Sequence, residues 1–144
     1  MQYDRHTYRG KSGGLERNGQ WVYGNLVRGR FEQGDVITFR SEDGRHTTVF
    51  VDTATIGQCT GKPDRYDKAI FEGDVVLCYC SAYDDSPRTR IVRWSDELAM
   101  WGCQEPGHDV NTNWDGEPLG DYWHTVEVVG NVHDNPELVQ EVQS

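Results

Sequence analysis

Two stretches of the chain combine side chains that could hold an anionic ligand with an aromatic ring. Arg9 and Lys11 are followed at short distance by Trp21 and Tyr23. Guanidinium and ammonium groups bind phosphate, and flat aromatic rings stack on nucleobases. Thr60-Gly61-Lys62 adds a hydroxyl, another cation and a glycine that lets backbone N–H groups approach an anion. These seven residues predict a nucleotide-sized pocket, although each aromatic ring taken alone is more usual in a core.

One pair of carboxylates could support other chemistry. Glu72 and Asp74 flank Gly73, and paired carboxylates can bind Mg²⁺ or share acid–base work. The same Gly-Asp pattern before a strand is typical of a turn. The one Gly-x-Ser-x-Gly sequence, Gly10-Lys11-Ser12-Gly13-Gly14, has two glycines after the Ser where a nucleophile elbow continues as a helix, and no His-x-Glu is followed by Cys-x-x-Cys. We therefore predict a non-enzymatic protein with no catalytic residue, cofactor or metal, and keep a Mg²⁺-dependent enzyme as the third possibility.

The central stretch, residues 60–76, should position these groups. Gly, Pro and Asp in Thr60–Asp64 predict a tight turn, since they supply a positive φ, a fixed φ and a side chain that can bond to its own backbone. Ile70 and Phe71 then return to the core, and a second turn at 72–74 follows. The next residues, 75–80, are apolar without alternation, which predicts a strand buried on both faces.

The rest of the chain reads as short strands joined by turns. Asp43-Gly44 is a hairpin signal between two apolar strands, and Asn135-Pro136 opens a short terminal helix. A region rich in Gly, Asn, Asp and Pro, residues 102–119, predicts a long loop. Strands are predicted at 21–24, 36–39, 47–51, 89–94, 98–101 and 122–129. We expect a single, mainly β domain over residues 1–144, folded from about 8 to 139, with antiparallel strands in a barrel or sandwich-like arrangement and a short C-terminal helix.

Composition and charge limit the kinds of partner that the protein can bind. The chain of 144 residues suits one domain, and its net charge is −10. Residues 1–50 hold eight cationic and six acidic side chains, a net charge of +2. Residues 51–144 hold six cationic and eighteen acidic side chains, a net charge of −12. Such an acidic protein repels nucleic-acid phosphates, which argues against general nucleic-acid binding. A small anionic ligand could still bind the N-terminal part.

Neither a membrane anchor nor a structural metal is expected. No apolar run approaches the roughly 20 residues of a membrane span, and the N-terminus is polar, so the protein should act in the cytoplasm. The four cysteines lack paired Cys-x-x-Cys spacing and are expected to be buried thiols.

Five motifs follow one another along the chain: Tyr8-Arg9-Gly10-Lys11, residues 18–24, residues 55–61, residues 71–76, and Val128-Val129-Gly130-Asn131 with Asn135-Pro136-Glu137-Leu138. In order and spacing they resemble the YopX family of phage and prophage proteins. The chain departs from the family pattern at Tyr66-Asp67, where Asn-Gly is usual, at Cys59, usually Tyr, and at Arg90, usually Gly. The resemblance covers about residues 8–139 and implies a compact β domain, encoded by a phage and self-associating.

The resemblance supplies an origin but no activity. Phages carry small proteins that sequester nucleotide signals of bacterial defence, and a compact oligomeric β domain could do this in the host cytoplasm. We therefore expect a counter-defence protein that binds a small, anionic, nucleotide-like ligand. The alternative is an inhibitor whose acidic surface occupies a basic groove on a host nucleic-acid-processing protein.

Overall fold

The computed structural model describes residues 3–13, 19–29, 34–79, 87–106, 117–119 and 125–140. Their strands form two antiparallel sheets, neither of which closes into a barrel. The mainly β fold is confirmed. The chain forms two compact units, divided between Cys59 and Thr60, which we call the N-terminal unit and the C-terminal unit. The prediction of a single domain stays a prediction.

The N-terminal unit is an antiparallel sheet whose hydrophobic core lies on one face. Its strands are β1 (Tyr8–Lys11), β2 (Trp21–Val27), β3 (Val36–Arg40), β4 (His46–Phe50) and the beginning of β5 (Gly57–Pro63), in the order β4-β3-β2-β1-β5. A single turn of 3-10 helix, Thr53–Thr55, precedes β5. Val22, Ile37 and Val51 are the buried centre of its core. Since side chains alternate along a strand, the neighbours of Val22 in β2 face away from that core.

The C-terminal unit contains the remainder of β5 and the other strands. These are β6 (Ala69–Phe71), β7 (Asp74–Cys78), β8 (Arg88–Ser95), β9 (Met100–Gln104), β10 (Glu117–Pro118) and β11 (Val126–Asn131), followed by the one-turn helix α1 (Glu137–Gln140). Here β6 lies beside β5, and the second sheet has the order β10-β9-β8-β7-β11. The core centres on Ile70, Val76 and Val92, each fully buried.

Several elements agree with the sequence-based predictions. The hairpin of β3 and β4 turns at Gly44, which has a φ of 85°. All residues of β7 except Leu77 are buried, as expected for a strand covered on both faces. The strand predicted at 75–80 ends at Cys78, however, and Tyr79 beyond it is 39% exposed. Gly73, with a φ of 88°, makes the turn before it. Cys59, Cys78 and Cys103 are buried, whereas Cys80 lies outside the described residues.

The turn predicted at Thr60–Asp64 is wrong in position. β5 runs through Pro63, and Gly61 adopts its φ of 80° inside the strand. The chain reverses at 64–68 instead, where the Asp64 N–H donates to the Lys68 carbonyl at 2.7 Å. Asp67 takes a φ of 65° there, the left-handed conformation that suits Gly or Asn. Of the three residue types that predicted the turn, Asp64 is the one that sets it, because its Oδ1 accepts hydrogen bonds from the Tyr66 and Lys68 N–H groups.

Two other boundaries need correction. The strand predicted at 98–101 begins at Met100, because Leu98 and Ala99 form the turn between β8 and β9 and Ala99 has a φ of 51°. The loop predicted at 102–119 is strand at both ends, since Gly102 pairs with both Arg93 and Pro118. Cross-strand hydrogen bonding here overrides the weak strand propensity of Gly and Pro. Residues 107–116 of that loop and 122–124 of the last predicted strand lie outside the described residues.

Candidate functional site

Trp21 is the centre of a cation–aromatic cluster in the N-terminal unit. The Arg9 Cζ lies 4.6 Å from the centroid of the Trp21 ring, and the Lys11 Nζ lies 5.6 Å from it. In the register of β1 and β2, Lys11 is directly opposite Trp21 and Arg9 is opposite Tyr23. Directly opposed side chains share a face, so all four residues lie on the face of the sheet away from the Val22 core.

A second aromatic contact extends this cluster. The rings of Tyr3 and Tyr23 are stacked, with centroids 4.8 Å apart and planes 8° from parallel. This face of the β1–β2 pair thus carries two cationic groups beside three aromatic rings. We call these five residues, Tyr3, Arg9, Lys11, Trp21 and Tyr23, the cation–aromatic cluster.

Backbone hydrogen bonds fix the strands that carry the cluster. The Ser12 N–H donates to the Gln20 carbonyl at 2.8 Å, and Gly19, with a φ of 78°, donates back to Ser12 at 2.9 Å. On the other side, the Lys11 N–H donates to the Thr55 hydroxyl at 2.8 Å. These bonds hold β1 in a single register, so Lys11 stays opposite Trp21.

Burial differs within the cluster. Arg9 is only 6% exposed, whereas Lys11, Trp21 and Tyr23 are half-buried. A guanidinium over an aromatic face is stabilised by up to about 2 kcal/mol when water is excluded. Arg9 therefore fixes the Trp21 ring from within the fold, while Lys11 is the more accessible cation for a ligand.

Thr60, Gly61 and Lys62 belong to the C-terminal unit and lie in strand β5. The Thr60 hydroxyl accepts a hydrogen bond from the Lys62 N–H at 3.1 Å, so that N–H already has a partner within the strand. The Lys62 side chain is exposed. The structure brings four of the seven predicted residues together in one unit, and a pocket made by all seven stays a prediction.

Sequence reasoning missed two features. Tyr3 precedes the first recognisable motif, and only the path of residues 3–7 places its ring on Tyr23. In the C-terminal unit, Arg65 lies 4.8 Å from the Tyr79 ring centroid and 5.5 Å from that of Tyr66. The departure from the family at Tyr66-Asp67 was the available signal for this second group.

The paired carboxylates are used by the fold. Asp74 is buried, and its Oδ2 accepts a hydrogen bond from the Phe71 N–H at 2.7 Å. Burial is the main cause that raises the pKa of Glu72, opposed by the charge of Arg93 and by a hydrogen bond from the Trp94 backbone. Burial also lowers the pKa of Arg93. Within the described ranges, no three His, Cys, Asp or Glu side chains form a group suited to a metal ion.

These observations define an all-β protein with a cation–aromatic cluster on one sheet. The family model described as YopX protein matches residues 8–140, and the chain therefore belongs to the YopX family. No curated protein matches it.

A solved structure supports the fold. The crystal structure of protein EF1440 from Enterococcus faecalis is similar, with a TM-score of 0.50 and 19% sequence identity, over 93% of this chain and 97% of that chain. In the described part of the chain, no helix is long and apolar enough to span a bilayer.

Proposed function

We propose that this protein is a non-enzymatic binding protein that sequesters a small nucleotide-type signal, as a phage counter-defence factor in the host cytoplasm. The observation that supports it is the position of Arg9 and Lys11 over the Trp21 ring. Cations beside stacked aromatic rings recognise a phosphate and a base together. Sequestration requires tight binding and no turnover, so a preformed surface without a catalytic group suffices.

The cluster has the stiffness that such binding needs. Trp and Tyr have few rotatable bonds, and the cations hold the Trp21 ring in place before any ligand arrives. The acidic residues 51–144 weaken the binding of large polyanions, because electrostatic repulsion grows with the number of phosphates. A ligand with two or three phosphates therefore suits this protein better than a nucleic acid does.

Calorimetric titration tests this proposal. The panel consists of cyclic dinucleotides, cyclic trinucleotides and ADP-ribose derivatives, each titrated into the wild-type chain. We expect saturable heat with at least one compound, and Lys11→Ala should weaken its affinity roughly 10- to 150-fold, since one charge-assisted hydrogen bond contributes roughly 1.5–3 kcal/mol. Recovery of the bound compound in unaltered form would support sequestration over catalysis.

Arg40→Ala is the matched control. It removes a cation from β3, on the same face of the sheet as Trp21 but without contact to its ring, and should leave the affinity unchanged. Lys62→Ala tests the predicted contribution of the C-terminal unit. Absence of heat with every compound down to micromolar affinity, in a folded sample, would refute the proposal.

A second function is favoured by the surface of the turn between β8 and β9. Asp96 and Glu97 are exposed there, beside Leu98, which is 50% exposed, and Trp94, whose Nε1 donates to Asp96 Oδ1 at 2.9 Å. Carboxylates around exposed apolar side chains suit a basic groove on another protein. This combination supports an inhibitor of a host nucleic-acid-processing protein as the alternative.

Salt dependence separates the two functions. A complex made through surface carboxylates should weaken steeply between about 50 and 500 mM salt, because exposed charges are screened. Binding of a partly buried nucleotide should change less. Loss of host-protein binding on Asp96→Lys, with nucleotide binding absent, would favour the inhibitor.

A further inference from the structure

Strand β4 is an edge strand, with β3 as its neighbour on one side. At one end of the β3–β4 pair the Ser41 N–H donates to the Arg45 carbonyl, and at the other end the Val51 N–H donates to the Asp35 carbonyl. Bonded pairs alternate along an antiparallel ladder, so every second residue of β4 directs its backbone groups away from β3. These residues are His46, Thr48 and Phe50.

Most of these outward backbone groups are open. The Phe50 carbonyl accepts a hydrogen bond from the Gly13 N–H at 3.2 Å. Within the described ranges, no hydrogen bond involves the outward N–H and C=O groups of His46 and Thr48 or the N–H of Phe50. The side chains of these three residues are exposed, that of Phe50 by 55%. The open edge can therefore accept another strand.

The other sheet edges in the described part of the chain are protected against such pairing. Strand β10 has two residues, one of which is Pro118, and β6 has three. Strand β11 has a register shift between Val128 and Gly130. Short length, proline and bulges are the means by which proteins protect an edge strand. Strand β4 has five regularly paired residues without proline, lysine or a bulge, and its Thr, Val and Phe favour strand pairing.

The open groups of β4 are complementary to those of a second β4. In an antiparallel pair centred on Thr48, the Thr48 N–H of each copy meets the Thr48 carbonyl of the other. Each Phe50 N–H likewise meets a His46 carbonyl, so that every open carbonyl is paired. On the side chains, Thr48 lies opposite Thr48 and Phe50 lies opposite His46, and hydroxyl and aromatic cross-strand pairs of this kind stabilise a sheet.

Charge and exposed apolar surface also favour a second copy at this edge. Two chains of net charge −10 repel each other, but residues 1–50 have a net charge of +2, and residues 40–45 hold two cationic and two acidic side chains. Val27, Val36 and Phe50 are directly opposed across β2, β3 and β4. Val27 is 49% exposed, so an apolar row leads to the open edge.

We propose that β4 is the interface of a homodimer, in which two copies join edge to edge in antiparallel orientation with Thr48 at the two-fold axis. This interface is isologous, since each copy contributes the same residues. The inference goes beyond nucleotide sequestration and does not depend on it. The two-fold axis of such a pair is perpendicular to the sheet, so both cation–aromatic clusters lie on the same face of the joined sheet.

Sedimentation equilibrium of the full chain over a range of concentrations tests the dimer. Thr48→Lys should raise its dissociation constant roughly 10-fold or more, because a favourable Thr pair is replaced by two like charges at the axis. Thr48→Pro removes the central donor, and the fold tolerates proline on an edge strand where the N–H points outward. Asn25→Lys is the matched control, because Asn25 is an exposed residue of the same row, two strands from the edge.

A cross-link gives a positive test of the register. Directly opposed bonded residues have Cα atoms about 5.5 Å apart, which is within the range that a disulfide spans. Oxidised Thr48→Cys should therefore run as a covalent dimer on a denaturing gel, whereas Asn25→Cys should run as a monomer. Thermal unfolding checks that each variant is folded.

The expected result is a wild-type dimer that Thr48→Lys and Thr48→Pro dissociate and Asn25→Lys leaves intact. A wild type that stays monomeric would overturn the inference. An oligomer that persists unchanged in folded Thr48→Lys and Thr48→Pro would also overturn it, because the copies would then join through another surface. Neither outcome bears on nucleotide binding, which the calorimetric titration tests separately.

Discussion

Asp64 holds the turn between β5 and β6 against β11, and its replacement should be costly. Its Oδ1 accepts hydrogen bonds from the Tyr66 N–H at 2.8 Å and the Lys68 N–H at 2.9 Å. Its Oδ2 accepts from the Val128 N–H at 3.0 Å. The side chain is 3% exposed, so water cannot easily replace these three bonds.

Asp64→Asn keeps the size of the side chain but only one acceptor oxygen. The amide NH₂ must then face at least one backbone N–H, which leaves that buried donor without a partner. A hydrogen bond to a charged group contributes about 1.5–3 kcal/mol, and an unsatisfied buried donor costs about 1–3 kcal/mol. We therefore expect Asp64→Asn to lower the free energy of unfolding by about 3 kcal/mol.

Urea unfolding followed by tryptophan fluorescence measures this loss. Asp67→Asn is the matched control, because Asp67 is an exposed residue of the same turn and Asn tolerates its φ of 65°; its effect should stay within about 0.5 kcal/mol. A loss below about 1 kcal/mol in Asp64→Asn, with an unchanged urea slope, would contradict the account of this turn.

Three further predictions concern stability. Ala99→Gly should raise the free energy of unfolding by about 1 kcal/mol, because Ala99 has a φ of 51°; Ala69→Gly, within β6, should lower it in the same urea assay. Asp35 accepts hydrogen bonds from the Gly29 N–H and the Thr53 hydroxyl, which lower its pKa below 3.8. The charged Asp35 therefore stabilises the fold above its unfolded pKa of 3.8, and this stabilisation is lost as the pH falls through the lower pKa of the folded state. Asp35→Asn should accordingly flatten the acid limb of the curve of unfolding free energy against pH. Burial raises the pKa of Glu72 above 4.5, so protonation of Glu72 should stabilise the fold as the pH falls through the raised pKa. Glu72→Gln should abolish that stabilisation. For Asp35→Asn or Glu72→Gln, a stability–pH curve identical to that of the wild type would refute the role given to that carboxylate.

The sequence predicted those parts of the fold that depend on local patterns. The β3–β4 hairpin follows from Asp43-Gly44 between alternating strands, and the buried β7 follows from its continuous apolar residues. The turn predicted at Thr60–Asp64 was misplaced, because Gly61 adopts its positive φ inside strand β5. The backbone bonds of the Asp64 carboxylate to Tyr66 and Lys68 follow from the sequence. Its bond to Val128, 64 residues away, is in no local pattern.

The candidate site was predictable to the extent that it lies on one hairpin. Arg9, Lys11, Trp21 and Tyr23 come together because β1 and β2 pair antiparallel through a turn at Gly19. Tyr3 could not be found in the same way, because its ring reaches Tyr23 through an irregular segment. The burial of Arg9 was equally hidden, since it depends on tertiary packing.

Native mass spectrometry tests nucleotide sequestration most directly. The wild-type protein and Lys11→Ala would be purified side by side from bacteria in which a nucleotide-signalling defence has been triggered. We predict an extra mass of a few hundred daltons per site in the wild type, lost on denaturation, released unaltered and much reduced in Lys11→Ala. A wild-type protein that retains no small molecule under these conditions would contradict the proposed function and favour the acidic-surface inhibitor.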